Sequence, residues 1–245
     1  MTEKEKLALG VLYDPYHCEE LFKEREICKT LCQKYNQLPY GDYEGRKEIL
    51  RRIIGKFAGD FIIEPPFICD YGYNISVGKN FYANHNLVIL DATKVEIGDN
   101  VFIAPDCGIY AAGHPLDVED RNAGLEYAFP VKIGNNVWIG RKCFIFKGAR
   151  LGDGCIISSG TYTGKEIPPH SLVAGNPGRI VRRDVVWAVK DKPELKSLFP
   201  LSADDEDGMR AFYERAYEVT PTIKHRKGCR LLNRLRVFWA LFSAK

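Results

Sequence analysis

Aliphatic residues recur in this chain with a period of six. From Ile133, five consecutive hexads open on an aliphatic residue and carry a small residue or valine four places later: Ile133/Val137, Ile139/Cys143, Ile145/Ala149, Leu151/Cys155 and Ile157/Thr161. The same frame runs upstream through Ile97/Val101, Ile103/Cys107 and Ile109/Gly113, and more loosely from Val77 through Ala83 to Ile89. Six is neither the 3.6 of a helix nor the 2 of a lone strand. It is the period of a β-solenoid in which each hexad is one short flat of a coil and stacked coils share a continuous core. The aliphatic residue fills the interior, and the residue four later sits near a corner of modest volume. Gly98-Asp99-Asn100 and Gly134-Asn135-Asn136 suit the turns between flats, where positive φ is common. The predicted fold class is therefore mainly β, a hexapeptide-repeat parallel β-helix.

The flanking segments follow other periods. Residues 1–58 read as a helical module: Leu21, Ile27, Leu31 and Tyr35 recur at near-helical spacing, Leu38-Pro39-Tyr40-Gly41-Asp42 breaks the run, and a second helix from Glu44 carries Ile49, Ile53 and Ile54. The coil occupies 59–183. Its hexads vanish between Gly113 and Val131, where the chain is polar and charged, so residues 113–130 are predicted as a loop extruded from the coil. Loops held by rigid scaffolds are where chemistry concentrates. Residues 184–245 read as a charged helical extension. Its last segment interleaves Lys224, Arg226, Lys227, Arg230, Arg234 and Arg236 with Leu231, Leu232, Leu235, Phe238, Trp239, Leu241 and Phe242. Such a basic amphipathic segment suits either a peripheral contact with an anionic membrane or packing on protein.

Composition narrows the classes further. At 245 residues and 45% hydrophobic content the chain can bury a full core. A net charge of +3 does not suggest nucleic-acid binding by the protein as a whole. The start, Met1-Thr2-Glu3-Lys4-Glu5-Lys6, is not a secretory leader, and no apolar stretch reaches membrane-spanning length, which together predict a cytoplasmic protein. Of eight cysteines, Cys107, Cys143 and Cys155 fall in the small corner slot of hexads, Cys28 and Cys32 lie four apart in a helical segment, and no Cys-x-x-Cys occurs. Reduced thiols are expected.

His114 leads the candidate catalytic residues. It opens the extruded loop in Gly113-His114-Pro115-Leu116-Asp117, and the proline biases it away from helical backbone. A histidine fixed beside a rigid coil can take a proton from a hydroxyl near neutral pH. No metal is expected at this position. A zinc site between subunits of such a coil needs three converging histidines, whereas Glu119 stands five residues after His114 and His85 is the only other histidine in the middle of the coil. Asn84 and Asn86 flank His85 at a turn. Trp138 alternates with inward aliphatics and so points outward, where a large aromatic invites a ligand or partner. Lys165, Arg179, Arg182 and Arg183 gather near the end of the coil and suit phosphate groups or a solvated basic rim.

Cys69-Asp70-Tyr71-Gly72-Tyr73-Asn74, Phe81-Tyr82-Ala83-Asn84, Gly113-His114-Pro115-Leu116-Asp117, Ile133-Gly134-Asn135-Asn136-Val137-Trp138-Ile139-Gly140 and Ala174-Gly175-Asn176-Pro177-Gly178-Arg179 together resemble the maltose/galactoside O-acetyltransferases, which stand with the nodulation acetyltransferases among the hexapeptide-repeat acyltransferases. The resemblance runs from about residue 3 to residue 183. It implies a left-handed coil, a homotrimer, and acetyl-CoA in the groove between subunits as co-substrate. It also implies direct transfer of acetyl to a hydroxyl of a sugar or sugar-containing acceptor, with His114 as general base. A backbone N–H near Gly140-Arg141 would stabilise the oxyanion, and no cysteine nucleophile is needed. Carried over by position, Asp14, Asp70, Tyr82, Asn84 and Asp91 fall at the acceptor site. Asn84, Trp138, Arg141, Ser159, Gly164, Lys165, Arg179 and Arg182 fall along the CoA groove. The chain departs from the family at Phe146-Lys147-Gly148, where Asn-Pro-Gly is usual, at Ser158-Ser159-Gly160, at Gly164 where threonine is common, and in everything after residue 184. The alternatives are acetylation of a nucleotide sugar or oligosaccharide intermediate, and a non-catalytic β-helix assembly or binding protein.

Overall fold

Within the coil, strands of two to four residues follow one another without pairing, apart from the antiparallel return at its end. Each instead pairs in parallel with a strand from the next turn, so three sheets form the sides of a solenoid of about six turns. The first face stacks Lys56–Phe57, Ile75–Val77, Val95–Ile97, Val131–Ile133, Arg150–Leu151 and Glu166–Ile167. The second stacks Phe61–Ile63, Phe81–Ala83, Phe102–Ile103, Trp138–Ile139, Ile156–Ile157 and Leu172–Ala174, with Arg179–Arg182 returning antiparallel at its end. The third stacks Phe67–Cys69, Leu87–Leu90, Gly108–Tyr110, Phe144–Phe146 and Tyr162–Thr163. The computed structural model describes residues 1–185. The C-terminal extension expected over 184–245, with its basic amphipathic segment, falls almost wholly outside the described residues.

Both hexad positions point inward. Ile133, Val137, Ile139, Cys143, Ile145, Ala149, Leu151, Cys155 and Ile157 are all buried in one continuous core. The thiols of Cys107, Cys143 and Cys155 each face a corner carbonyl at 3.1 Å, so cysteine fills the slot and also satisfies a backbone acceptor. At the corners between the first and second faces, asparagine takes the left-handed backbone. Asn80, Asn100 and Asn136 have φ of 56°, 55° and 57°, and their side chains donate one to the next up the coil at 3.0 and 3.2 Å. The neighbouring glycines serve a different purpose from the one their turn position suggests. Gly98 has no positive φ; a Cβ there would lie 2.7 Å from the Gly134 carbonyl, so it is glycine because successive turns approach too closely for a side chain.

The outer surface separates by face. The outward column of the first face reads Lys56, Ser76, Glu96, Lys132, Arg150 and Glu166, all polar. That of the second face reads Ile62, Tyr82, Phe102, Trp138, Ile156 and Leu172. That of the third carries Ile68, Val88, Phe144 and Tyr162, with Tyr110 stacked on Phe144 at 5.7 Å between centroids. Two of three sides are apolar.

The N-terminal module comprises α1 (Glu3–Leu9), α2 (Glu19–Gln37) and α3 (Tyr43–Ile53). Thr2 and Glu5 form a reciprocal capping box on α1, and Asp42 caps α3 through the Gly45 N–H. Of the apolar residues that recur along α2, Leu21 and Tyr35 are buried together with Cys28 and Cys32, whereas Ile27 is 63% exposed. Small cysteines let the helix lie close against strand Phe67–Cys69, and that close approach outweighs the larger apolar area Ile27 would bury.

The segment between the strands Gly108–Tyr110 and Val131–Ile133 carries structure of its own. Ala112–Gly113 pairs antiparallel with Tyr127–Ala128, and between them lies the short helix α4 (Val118–Asn122), capped by Asp117. Backbone bonds in both directions between Tyr13 and Glu126 tie the loop to the N-terminal module.

Candidate active site

His114 follows the antiparallel pair at the base of the loop, on the corner where the third face turns back to the first. Its Nδ1 lies 3.1 Å from the Leu125 carbonyl. A carbonyl can only accept, so Nδ1 carries a hydrogen, which leaves Nε2 as the nitrogen that exchanges a proton when the ring is neutral. Glu126 Oε1 lies 3.8 Å from Nε2. The other oxygen, Glu126 Oε2, accepts from the Tyr13 hydroxyl at 2.8 Å. Burial first, then the Glu126 charge, push the Tyr13 phenol well above its ordinary pKa, so it remains a donor. A cavity of about 160 Å³ opens here, lined by Tyr13, Arg25, Asp70, Tyr71, His114 and Glu126 among others.

The predicted acceptor residues do not all reach this cavity. Asp70 lines it and pairs with Lys29 at 3.4 Å. Asp91 is wholly buried behind it; its Oδ1 accepts the backbone N–H groups of Asp70 and Tyr71, both at 2.9 Å, so it shapes the cavity wall without facing the opening. Its Oδ2 has no partner, and burial pushes its pKa up to about 7. Asp14 holds its own turn, accepting from Tyr16 N and His17 N and pairing with the His17 ring. Tyr82 lies on the second face against Phe102, and Asn84 ends that face's strand, accepting the His85 N–H. Within one chain these last two belong to a different side of the coil from His114.

The predicted cofactor residues divide likewise. Asn84, Arg141 and Ser159 line up along the corner between the second and third faces, beside exposed Trp138. The Arg141 guanidinium is held by Asp106 through two bonds of 2.8 and 3.0 Å. Of the two N–H groups near the expected oxyanion position, that of Gly140 is committed to the Ile157 carbonyl. That of Arg141 donates at 3.2 Å to Ser159 Oγ, a rotatable hydroxyl that can yield to another acceptor. Arg179 and Arg182 are exposed on the antiparallel return at the end of the second face. Gly164 and Lys165 are exposed on the His114 corner, one turn beyond Lys147.

Three groups at the site went unnoticed in the sequence: Tyr13, Arg25 and Glu126. Lys147, at one of the departures from the family pattern, lies against Gly113 and places its ammonium 5.1 Å from the centre of the Tyr127 ring, bracing the base of the loop.

The maltose acetyltransferase hexapeptide capping motif matches residues 6–59, and the hexapeptide repeat of succinyl-transferase matches residues 130–164. The galactoside O-acetyltransferase of Escherichia coli K12 is 39% identical over 195 residues, which span 78% of this chain and 96% of the relative. The chain belongs to the maltose/galactoside O-acetyltransferase family. Among solved structures, a maltose O-acetyltransferase from Clostridium difficile is 47% identical, with a TM-score of 0.72 over 75% of this chain and 97% of its own. A galactoside acetyltransferase in complex with coenzyme A superposes with a TM-score of 0.73 at 39% identity, covering 75% of this chain and 91% of its own. Membership makes the chain an acyltransferase and its coil the left-handed β-helix of hexapeptide-repeat enzymes. That hand runs against the usual right-handed crossover between parallel strands, and here it accompanies corners occupied by left-handed Asn and Asp. Among the described residues no helix is long and apolar enough to cross a membrane.

Proposed function

We propose that the chain transfers acetyl from acetyl-CoA to a hydroxyl of a sugar or sugar-containing acceptor, with His114 as general base. The observation that carries this reading is the placement of the His114 ring: Nδ1 donates to the Leu125 carbonyl, which leaves Nε2 for proton exchange, and the residue lines the cavity. In the proposed reaction Nε2 takes the acceptor hydroxyl proton as the oxygen attacks the thioester carbon. The tetrahedral oxyanion is stabilised by the Arg141 N–H, released from Ser159. The C–S bond then breaks, and the departing thiolate takes the proton back from the imidazolium. Donors of this kind contribute about 3 kcal/mol to such steps. Asp70 offers a charged acceptor for sugar hydroxyls, and the coenzyme A complex of the related galactoside acetyltransferase supports the choice of donor.

The active unit in this reading is a homotrimer in the cytoplasm. Two different apolar faces meet at the corner bearing Asn84, Arg141 and Ser159. Unlike patches pack head to tail, and a closed ring is the arrangement that buries both on every copy. His114 of one protomer then completes the site with the Asn84–Ser159 corner of its neighbour.

The test is thiol release from acetyl-CoA across a panel of free sugars, for wild type and for His114→Ala. Release that requires both sugar and histidine is expected. Sugar-independent silence, together with no binding of coenzyme A, would overturn the reading in favour of a non-catalytic assembly protein.

A further inference from the structure

Helix α2 and the strand Phe67–Cys69 bring three thiols together outside the acetyl-transfer site. Cys28 Sγ lies 3.4 Å from Cys69 Sγ, and Cys32 Sγ lies 3.7 Å from it. All three sulfurs are within 4.8 Å of one another. The residues are 3%, 3% and 0% exposed, and none is in a disulfide. Cys28 and Cys32 stand one helical turn apart, so both sulfurs point down the same side of α2, and Cys69 enters from the strand beneath. Three sulfurs bound to one ion at about 2.3 Å stand roughly 3.8 to 4.0 Å apart, depending on whether the centre is pyramidal or planar. The observed separations therefore accept an ion with shifts of a few tenths of an ångström.

We propose that Cys28, Cys32 and Cys69 form a buried three-sulfur site for a soft d¹⁰ cation, monovalent copper, which fastens the N-terminal module to the coil. Softness follows from the donor set: thiolates select copper(I) and zinc over harder ions. The coordination number chooses between these two. Structural zinc takes four ligands, and among the described residues no fourth histidine, cysteine or carboxylate joins the cluster, whereas copper(I) is satisfied by three. The ion displaces thiol protons, which leave to solvent, and no electron is transferred. Its position matters to the enzyme because Asp70 of the cavity directly follows Cys69. The site is independent of the acetyl-transfer reading and stands or falls without it.

The experiment loads the full-length chain anaerobically with one equivalent of copper(I), using a background in which Cys18 and Cys229 are serine, and then challenges it with a copper(I) chelator. One retained equivalent is expected, with about three sulfur neighbours by X-ray absorption and a Tm that rises with free copper. Loss of Cys69, which is fully buried, can unfold the coil, so Cys28→Ala and Cys32→Ala carry the test. Each should fold, as shown by an unchanged circular dichroism spectrum, and release its copper to the chelator at least tenfold more readily. Equal retention by either variant, or no retention by the parent chain, would overturn the proposal. Retention of zinc in preference to copper would overturn the choice of ion.

Discussion

The two corners that bound the third face are built by the same repeat and differ in what interrupts them. Along the corner from the second face to the third, every turn is regular, and neighbouring turns satisfy one another: Asn86 donates to Asp106, Asp106 holds Arg141, and the Arg141 N–H rests on Ser159. The result is a ridge suited to a long, extended ligand. On the corner from the third face back to the first, the chain leaves the coil for 113–130, and the return is fixed by contacts with the distant N-terminal module. The result is a pocket. Repetition makes the ridge and interruption makes the pocket, and a single copy keeps them on different corners.

The hardest test of that division is removal of the base proposed for the pocket. His114→Ala should lower turnover by about two to four orders of magnitude and leave coenzyme A affinity nearly unchanged, since the ridge is intact. A loss of coenzyme A binding as large as the loss of rate would show that the two corners are not separable.

Mixing variants sharpens the comparison. Asn84→Ala lies on the ridge and His114→Ala in the pocket, so each homogeneous protein should be impaired by its own defect. In the proposed trimers, reassembled from equal amounts of both, a site with both native residues forms wherever a ridge variant supplies His114 to a pocket variant. Random assembly gives one half times one half, about a quarter of sites. Recovery towards a quarter of wild-type activity is expected. A mixture no more active than the average of its parents would place the whole site within one chain.

These elements also show what a sequence discloses. The coil was legible because its signal repeats, so five hexads set the register of the strands from Ile133 to Ile157. Of the residues that line the pocket, the sequence singled out His114, where the repeat stops, and Asp70. Tyr13 and Glu126 escaped notice because they are 113 residues apart and share no periodic pattern. The buried face of α2 was not legible because spacing alone does not say that small cysteines would be preferred over Ile27 at a close helix–strand contact. Asp91 was placed at the acceptor site by position, and its side chain turns instead toward backbone N–H groups, a direction that no one-dimensional pattern encodes.

A smaller effect is expected at Glu126. Glutamine keeps the acceptor for the Tyr13 hydroxyl but removes the charge 3.8 Å from His114 Nε2. Glu126→Gln should lower kcat about tenfold, with KM for acetyl-CoA unchanged because the ridge is not touched. A rise in that KM equal to the fall in kcat would assign Glu126 to cofactor binding.

The last effect leaves the chemistry untouched, falls on stability and belongs to Asp91. Burial raises its carboxyl from an ordinary 3.8 to about 7 in the folded chain. Between those values the folded state holds a proton that the unfolded state has lost, so stability falls as pH rises through the window, by at most about 1.4 kcal/mol per pH unit. Below it both states are protonated and the contribution is constant; above about 7 both are ionised and the cost is fully present. Asparagine keeps an oxygen for the Asp70 and Tyr71 N–H groups and cannot ionise. Urea unfolding of Asp91→Asn between pH 5 and pH 8 should therefore show a flatter stability profile than wild type, with the difference growing toward pH 7 and then levelling. Parallel profiles would mean that water reaches the unpartnered oxygen and that the pocket corner is wetter than its packing indicates.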